Sequence, residues 1–263
     1  MIQYITWSFG PEMFTVFGIT LRWYGFLFAM AFVAGYYITR RDVKRLGKDE
    51  KFMDSLLIYM LLGAIIGARL GHCFFYEPDY YLRNPIKILY TWEGGLASHG
   101  GAIGILFSLW LFSRKYKVKW LWIVDRISGV TALGGFFIRM GNLMNSEIIG
   151  TQTSVPWAFI FTAEDSVPRH PAQLYEAICY LIIFFFLRFI DKKHNFKAPN
   201  GYIVSWFLIL VFGVRFFVEF IKEAQVGFEE SMFLNMGQLL SVPFVLLGAG
   251  YLVYLHRKNL KQN

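Results

Sequence analysis

The chain has 263 residues, is 56% hydrophobic and only 17% charged, and carries a formal net charge of +8. A soluble domain usually runs near a quarter charged, and runs such as "LYEAICYLIIFFFLRFI" and "YIVSWFLILVFGVRFF" approach the length that crosses a hydrocarbon core, so the composition excludes a soluble domain and indicates a multi-pass membrane protein. Cys73 and Cys179 both fall inside apolar runs and argue against a disulfide framework or a zinc site.

Residues 1–20 hold no Lys or Arg and lack the positive n-region of a secretory signal peptide. Trp7, Phe9, Phe14 and Phe17, set among Gly10, Pro11 and Gly18, suit an interfacial segment on the outer face. Seven spans are then predicted, at roughly 21–38, 54–75, 96–112, 120–138, 174–190, 202–221 and 236–255. The fourth is the weakest, interrupted by Asp125, Arg126 and Gly129. The longest loop, 139–173, carries "TSVPWAFIFTAEDSVPRHP" and is expected to form a small outer-face excursion. No internal repeat or soluble domain is evident. The expected fold is an all-α bundle of seven transmembrane helices, a single polytopic domain over 1–263.

The basic residues orient this bundle. From the first loop to the tail, the connecting segments hold six, two, four, two, four, one and three Lys or Arg. High and low counts alternate without exception, giving seventeen on one side and five on the other. Cytoplasmic loops are the basic ones, which places the N-terminus outside, on the periplasmic side, and the C-terminus in the cytoplasm. The net positive charge is therefore topological, and no nucleic acid is implied.

Four basic residues remain in or at the edge of spans: Arg22, Arg69, Arg126 and Arg215. Ionisable residues within a membrane point to function, with a structural ion pair or snorkelling as the alternative. The topology sets Tyr24, Arg69, His72, His99, Arg139, Gln173, Glu176, Arg215, Glu219 and Gln238 all toward the outer leaflet. Three arginines there, Arg69, Arg139 and Arg215, imply an anionic ligand, and a phospholipid head group is the simplest candidate at that depth. His99 stands among Gly94, Gly95, Gly100, Gly101 and Gly104, where small residues allow a substrate or another helix close to the backbone. An imidazole can serve as a general base, although a lone His is more often a structural hydrogen-bonder.

Arg139 and Asn142 are three apart and share a helical face, with Ser146 one turn further on. Gly141 lowers helix propensity, so part of the stretch could be loop, its amides capping a helix end. Arg215 and Glu219, four apart, also share a face and would form either an ion pair or a carboxylate-oriented phosphate ligand. The sequence has no H-E-x-x-H, no G-x-S-x-G, no Gly-rich phosphate loop and no metal-holding aspartate pair. His72, His99 and His170 could meet around a metal, but no local ligand spacing supports it. A lipid or anion transporter would be expected to show internal repeats and midplane polar residues, neither of which is visible.

Five pieces, "LRWYGF" at 21–26, "GGLASHGG" at 94–101, "RMGNLMNSEIIG" at 139–150, "RHPAQLYE" at 169–176 and "GVRFFVEF" at 213–220, follow in order. Over nearly its full length the chain resembles bacterial prolipoprotein diacylglyceryl transferases. The resemblance implies an enzyme of the bacterial cytoplasmic (inner) membrane. It would take diacylglyceryl from phosphatidylglycerol, join it by a thioether to the lipobox cysteine of a prolipoprotein signal peptide, and release glycerol 1-phosphate, the first step of lipoprotein maturation. No cofactor or metal is implied. The family's key positions fall on Tyr24, His99, Arg139, Asn142, Glu147, Gly150, Arg215 and Glu219. His99, Arg139 and Arg215 are read as catalytic; Tyr24, Asn142, Glu147, Gly150 and Glu219, with Arg69 from the charge argument, as substrate-binding, and Arg139 as the phosphate contact. Val211, Thr151 and Lys222 depart from the family pattern, where many members have Tyr, Arg and Arg. A metal-independent enzyme of another lipid head group is the alternative, beside the transporter.

Overall fold

A computed structural model describes residues 4–224 and 232–260; the tail's Lys261 lies outside them. The chain is mostly helical, and the described residues hold seven long helices: α1 (Trp23–Arg45), α2 (Glu50–Phe75), α4 (Ser98–Lys115), α5 (Trp120–Met144), α6 (Ala172–Lys193), α7 (Tyr202–Val218) and α8 (Met236–Leu260), with a short α3 (Pro78–Arg83). Five of the long segments, α2, α5, α6, α7 with the turn after it, and α8, are long and apolar enough to cross a membrane, which marks a multi-pass membrane protein. Helices α1 and α4 are not among them. Trp23, Tyr24, Tyr36, Tyr37 and a basic end dilute α1, while α4 opens on Ser98 and His99 and closes on Arg114 and Lys115.

The expectation of an all-α chain holds for the bulk of the chain, with short strands added to the helices. The described residues hold five short strands: β1 (Ile5–Trp7), β2 (Glu12–Val16), β3 (Ile19–Arg22), β4 (Phe159–Phe161) and β5 (Pro168–Arg169). The segment read as interfacial therefore holds paired strands. β2 and β3 form an antiparallel hairpin whose two turn residues, Phe17 and Gly18, both have positive φ, as a two-residue hairpin turn matched to strand twist requires. β1 runs parallel to β4, and β4 antiparallel to β5, so the predicted loop excursion is partly a sheet.

The chain divides into two compact units, Met1–Ile38 with Ile127–Asn263, and Thr39–Arg126. In the larger unit, Ala132 and Leu133 of α5 form a core with Tyr180, Ile183, Phe184, Leu187 and Ile190 of α6 and Ile203 of α7. A second cluster joins Leu143 at the end of α5 to Phe159 and Phe161 of β4, with Trp7 packed against it. The Trp7 indole N–H donates to the Leu143 carbonyl at 3.0 Å, satisfying one of the acceptors that a helix end leaves open. The sheet is thereby tied to the end of the helix that carries Arg139.

In the smaller unit, α2 and α4 lie antiparallel along a seam of glycines. A Cβ on Gly63, Gly67 or Gly71, or on Gly100 or Gly104 opposite, would fall 2.1–2.7 Å from the facing backbone. Small residues at this spacing let two apolar helices approach at backbone distance. Helix packing is thus the role of Gly100 and Gly104.

Candidate active site

Helix α5 continues to Met144, so Arg139 and Asn142 are helical rather than part of a loop. Gly141 does not end the helix: a Cβ there would sit 2.9 Å from Tyr24 Cδ2, and its bareness lets the Tyr24 ring lie against α5. The Arg139 guanidinium donates through Nη1 to Asn142 Oδ1 at 3.2 Å, as the three-residue spacing predicts. Asn142 Nδ2 in turn donates to Glu147 Oε2 at 3.0 Å, and Asn145 Nδ2 to Glu147 Oε1 at 3.1 Å. Gln173 at the start of α6 donates to the Glu147 carbonyl.

Ser146 does not extend the Arg139 face. Its φ is 55° and that of Ile148 is 58°, both in the left-handed region. A β-branched residue there is strained, and such strain persists only where surrounding structure holds it. The hold here is a ladder: Gly150 bridges Lys222 in antiparallel fashion, Thr151 N–H donates to the Ile221 carbonyl at 2.9 Å, and Glu223 N–H to the Ile149 carbonyl at 3.2 Å. A Cβ on Gly150 would meet the His170 and Ile221 carbonyl oxygens at 2.5 and 2.8 Å, so the close approach requires glycine.

Glu176 is the hub of the charges. It is 0% exposed, and its two oxygens face two cations: Arg139 Nε stands 2.7 Å from Oε2, and Lys222 Nζ 3.1 Å from Oε1. The Tyr180 hydroxyl donates to Oε1 at 3.2 Å. Lys222 also reaches Glu219 Oε2 at 3.0 Å. The expected helical pairing of Glu219 with Arg215 is thus replaced by pairing with Lys222. The reason is local: after Val218 the chain tightens into a 3₁₀ turn, Glu219–Ile221, in which residues three apart eclipse. Glu219 lies so close to Gly237, at the start of α8, that a Cβ there would come within 2.4 Å of its carboxyl carbon.

These groups border a cavity of about 200 Å³, lined by Arg139, Arg215, Lys222, Glu219, Ile148, Met236, Gly237 and Leu240. Arg215 Nε is buried and, among the described residues, has no hydrogen-bond partner. Three cations converge on a small, mainly polar-walled space, and a guanidinium fork presented there suits an anionic oxygen. Outside this lining, Arg169 joins Asp165 Oδ2 at 2.6 Å and also pairs with Glu223. The Arg169 hydrogen bond and the Val167 N–H hold the Asp165 carboxyl below the usual carboxylate range. Burial pushes the His170 imidazole down, which keeps it neutral beside the Tyr175 hydroxyl, 3.2 Å from Nδ1.

Of the expected residues, Arg139, Arg215 and Glu219 line this cavity. Asn142 and Glu147 connect to it through Arg139, Tyr24 lies in the electrostatic field of Glu147 and Arg139, and Gly150 holds the backbone of Lys222. Arg69 and His99 belong to the smaller unit. The Arg69 guanidinium is committed to backbone carbonyls, those of Lys87 and Gly94 at 2.6 Å, Ile88 at 2.9 Å and Gly95 at 3.2 Å. That geometry gives it the task of shaping the 87–95 loop. His99 is exposed in the first turn of α4, its ring against those of Phe75 and Tyr76. Among the described residues no three His, Cys, Asp or Glu side chains cluster as metal ligands would.

A family model described as prolipoprotein diacylglyceryl transferase matches residues 11–254. The chain belongs to the prolipoprotein diacylglyceryl transferase family. It is similar to the phosphatidylglycerol–prolipoprotein diacylglyceryl transferase of Bacteroides fragilis, 46% identical over 266 aligned positions covering 97% of this chain and 96% of that protein. The proteins of that name from Chloroherpeton thalassium (47% identical, 94% and 92% covered) and Porphyromonas gingivalis (46% identical, 93% and 92% covered) resemble it as closely. In this member of the prolipoprotein diacylglyceryl transferase family, sequence reasoning left Glu176, Lys222, Tyr180 and Gly237 outside the site. Glu176 carried a usable signal, a carboxylate at the opening of an apolar span; Lys222 read as a loop charge and as a departure from the family's Arg.

Proposed function

We propose that this transferase moves the diacylglyceryl group of phosphatidylglycerol onto the lipobox cysteine thiol of a prolipoprotein. The sulfur bonds the glyceryl carbon as the carbon–oxygen bond to phosphate breaks. The electron pair stays on that oxygen, glycerol 1-phosphate leaves, and the thiol proton passes to a base. Charge therefore moves from thiolate to phosphate during the reaction. The observation that carries this reading is the cavity where Arg139, Arg215 and Lys222 converge, which supplies fixed positive charge for that phosphate. The relatives' shared name supports both substrates.

In this reading Arg139 and Arg215 bind and stabilise the phosphate. Asn142, Glu147 and Tyr24 orient Arg139, Glu219 sets the cation geometry, and Gly150 fixes the cavity wall. Arg69 acts at a distance by shaping its loop. The exposed imidazole of His99 supports its assignment as the thiol base. The seven long helices and the seventeen-to-five basic asymmetry support seven spans in a single polytopic assembly of the bacterial inner membrane, N-terminus periplasmic, with the site toward the outer leaflet.

Purified protein incubated with phosphatidylglycerol labelled in its acyl chains and a lipobox peptide should yield labelled peptide and an equal amount of glycerol 1-phosphate. Absence of transfer under conditions where the protein is folded overturns the reading. Replacing His99 by Gln should slow turnover by about 10²–10⁴-fold, with the defect shrinking as pH approaches the thiol pKa near 8.5. Cysteine labelling at Lys48 and Asp79 should find the first cytoplasmic and the second periplasmic.

A further inference from the structure

We infer that Lys222 is a phosphate-contacting residue of this cavity and the one that makes its charge suit an anion. The inference rests on the reaction proposed above and deepens it. Lys222 is 7% exposed, yet its side chain lines the cavity. An ammonium has three N–H donors. Two are taken, by Glu176 at 3.1 Å and Glu219 at 3.0 Å. The third serves an oxygen in the cavity.

The charges support the same assignment. Arg139, Arg215 and Lys222 face two carboxylates, Glu176 and Glu219, which leaves one net positive charge. A phosphodiester head group carries one negative charge and neutralises it. Without Lys222 the set sums to zero, and the two arginines alone are left to hold the anion. The need grows as the reaction proceeds, because the released phosphate monoester carries up to two charges.

The position is also built to be held. Lys222 sits on a backbone bridge to Gly150, flanked by hydrogen bonds from Thr151 to Ile221 and from Glu223 to Ile149. Arg169 then ties Glu223 to the 165–169 turn. The ammonium is therefore carried on ordered backbone rather than on a free loop, which is what fixed transition-state charge requires.

The test compares Lys222→Gln and Lys222→Arg with wild type in three measurements: KM for phosphatidylglycerol, binding of glycerol 1-phosphate alone by calorimetry, and competition by uncharged diacylglycerol. A lost charge-assisted hydrogen bond should weaken the two phosphate-bearing ligands by roughly 10- to 100-fold. Diacylglycerol should compete as before, and Lys222→Arg should restore phosphate binding to within about threefold. Unchanged glycerol 1-phosphate binding in folded Lys222→Gln overturns the inference, as does an equal loss of diacylglycerol, which would mark a structural ion pair only. If Lys222→Gln does not fold, Glu219→Gln with Lys222→Gln, compared with Glu219→Gln alone, strands neither charge and gives the same readout. A wild type that binds glycerol 1-phosphate but transfers nothing sinks the proposed reaction while leaving the Lys222 contact supported if Lys222→Gln loses that binding.

Discussion

Replacing Glu176 by Gln keeps the side chain's shape and removes its charge. Glu176 is wholly buried and answers both Arg139 and Lys222, so the substitution leaves the buried Lys222 and the partly buried Arg139 without their shared carboxylate. Breaking a buried pair by removing one partner typically costs about 3–5 kcal/mol. For a chain of this size each kcal/mol shifts Tm by about 2–4 °C, which gives a fall of about 6–20 °C. The assay is a thermal scan of intrinsic Trp fluorescence in detergent, run with and without saturating phosphatidylglycerol. The cavity gains positive charge in this variant, so the anionic lipid should recover more of the lost Tm in Glu176→Gln than it adds to wild type. A loss below about 2 °C, or an equal lipid effect on both proteins, would refute the idea that Glu176 is the counterion organising the cavity.

Three further outcomes are expected. Gly237→Ala forces the Glu219 carboxylate aside; being the end of a flexible side chain it can move, so Tm should hardly change while turnover falls, whereas Gly150→Ala meets backbone oxygens and should lose both. Gly104→Ala places a Cβ 2.1 Å from the Gly63 carbonyl oxygen and should cost about 1–3 kcal/mol of stability, read as a lower Tm with the head-group affinity of the folded fraction unchanged. The Asp165 carboxyl is held low by Arg169, so its contribution is present above pH ~4 and lost as pH falls through its lower folded-state value. An acid protease should therefore cut the 151–169 loop slowly at pH 5 and faster below pH ~4, and Asp165→Asn should be cut readily at pH 5.

Much of this was legible in the sequence where the signal was local. The predicted span 202–221 is α7 plus the 3₁₀ turn, and 54–75 lies within α2, because apolar runs of that length have few other solutions. The Arg139–Asn142 contact followed from helical spacing alone. What stayed hidden was long-range or carried by the backbone. Three-residue strands such as Ile5–Trp7 are too short for an alternation pattern. Arg69 binds carbonyls, which every residue has, so nothing in the sequence marked them. The Glu219 carboxylate turned to Lys222 because the helix tightened at its end, a change of period that residue identities did not announce.

The connectivity of the larger unit bears on how it is made. Residues 39–126 form their own compact unit and interrupt the other one. The smaller unit is complete once Arg126 has been synthesised. The larger one must then join its first 38 residues to segments that do not yet exist. Trp7 finds its acceptor 136 positions later, at Leu143, and β1 waits for β4. The cation cavity waits longer still, since Gly237 and Leu240 form one wall. Closing such separations costs entropy before any contact compensates, which slows the step. The helices of the larger unit should therefore be inserted well before its charged site exists. During that interval Arg139 and Glu176 are both already made while Lys222 is not, so the Arg139–Glu176 pair can form first and serve as the template onto which the last cation docks.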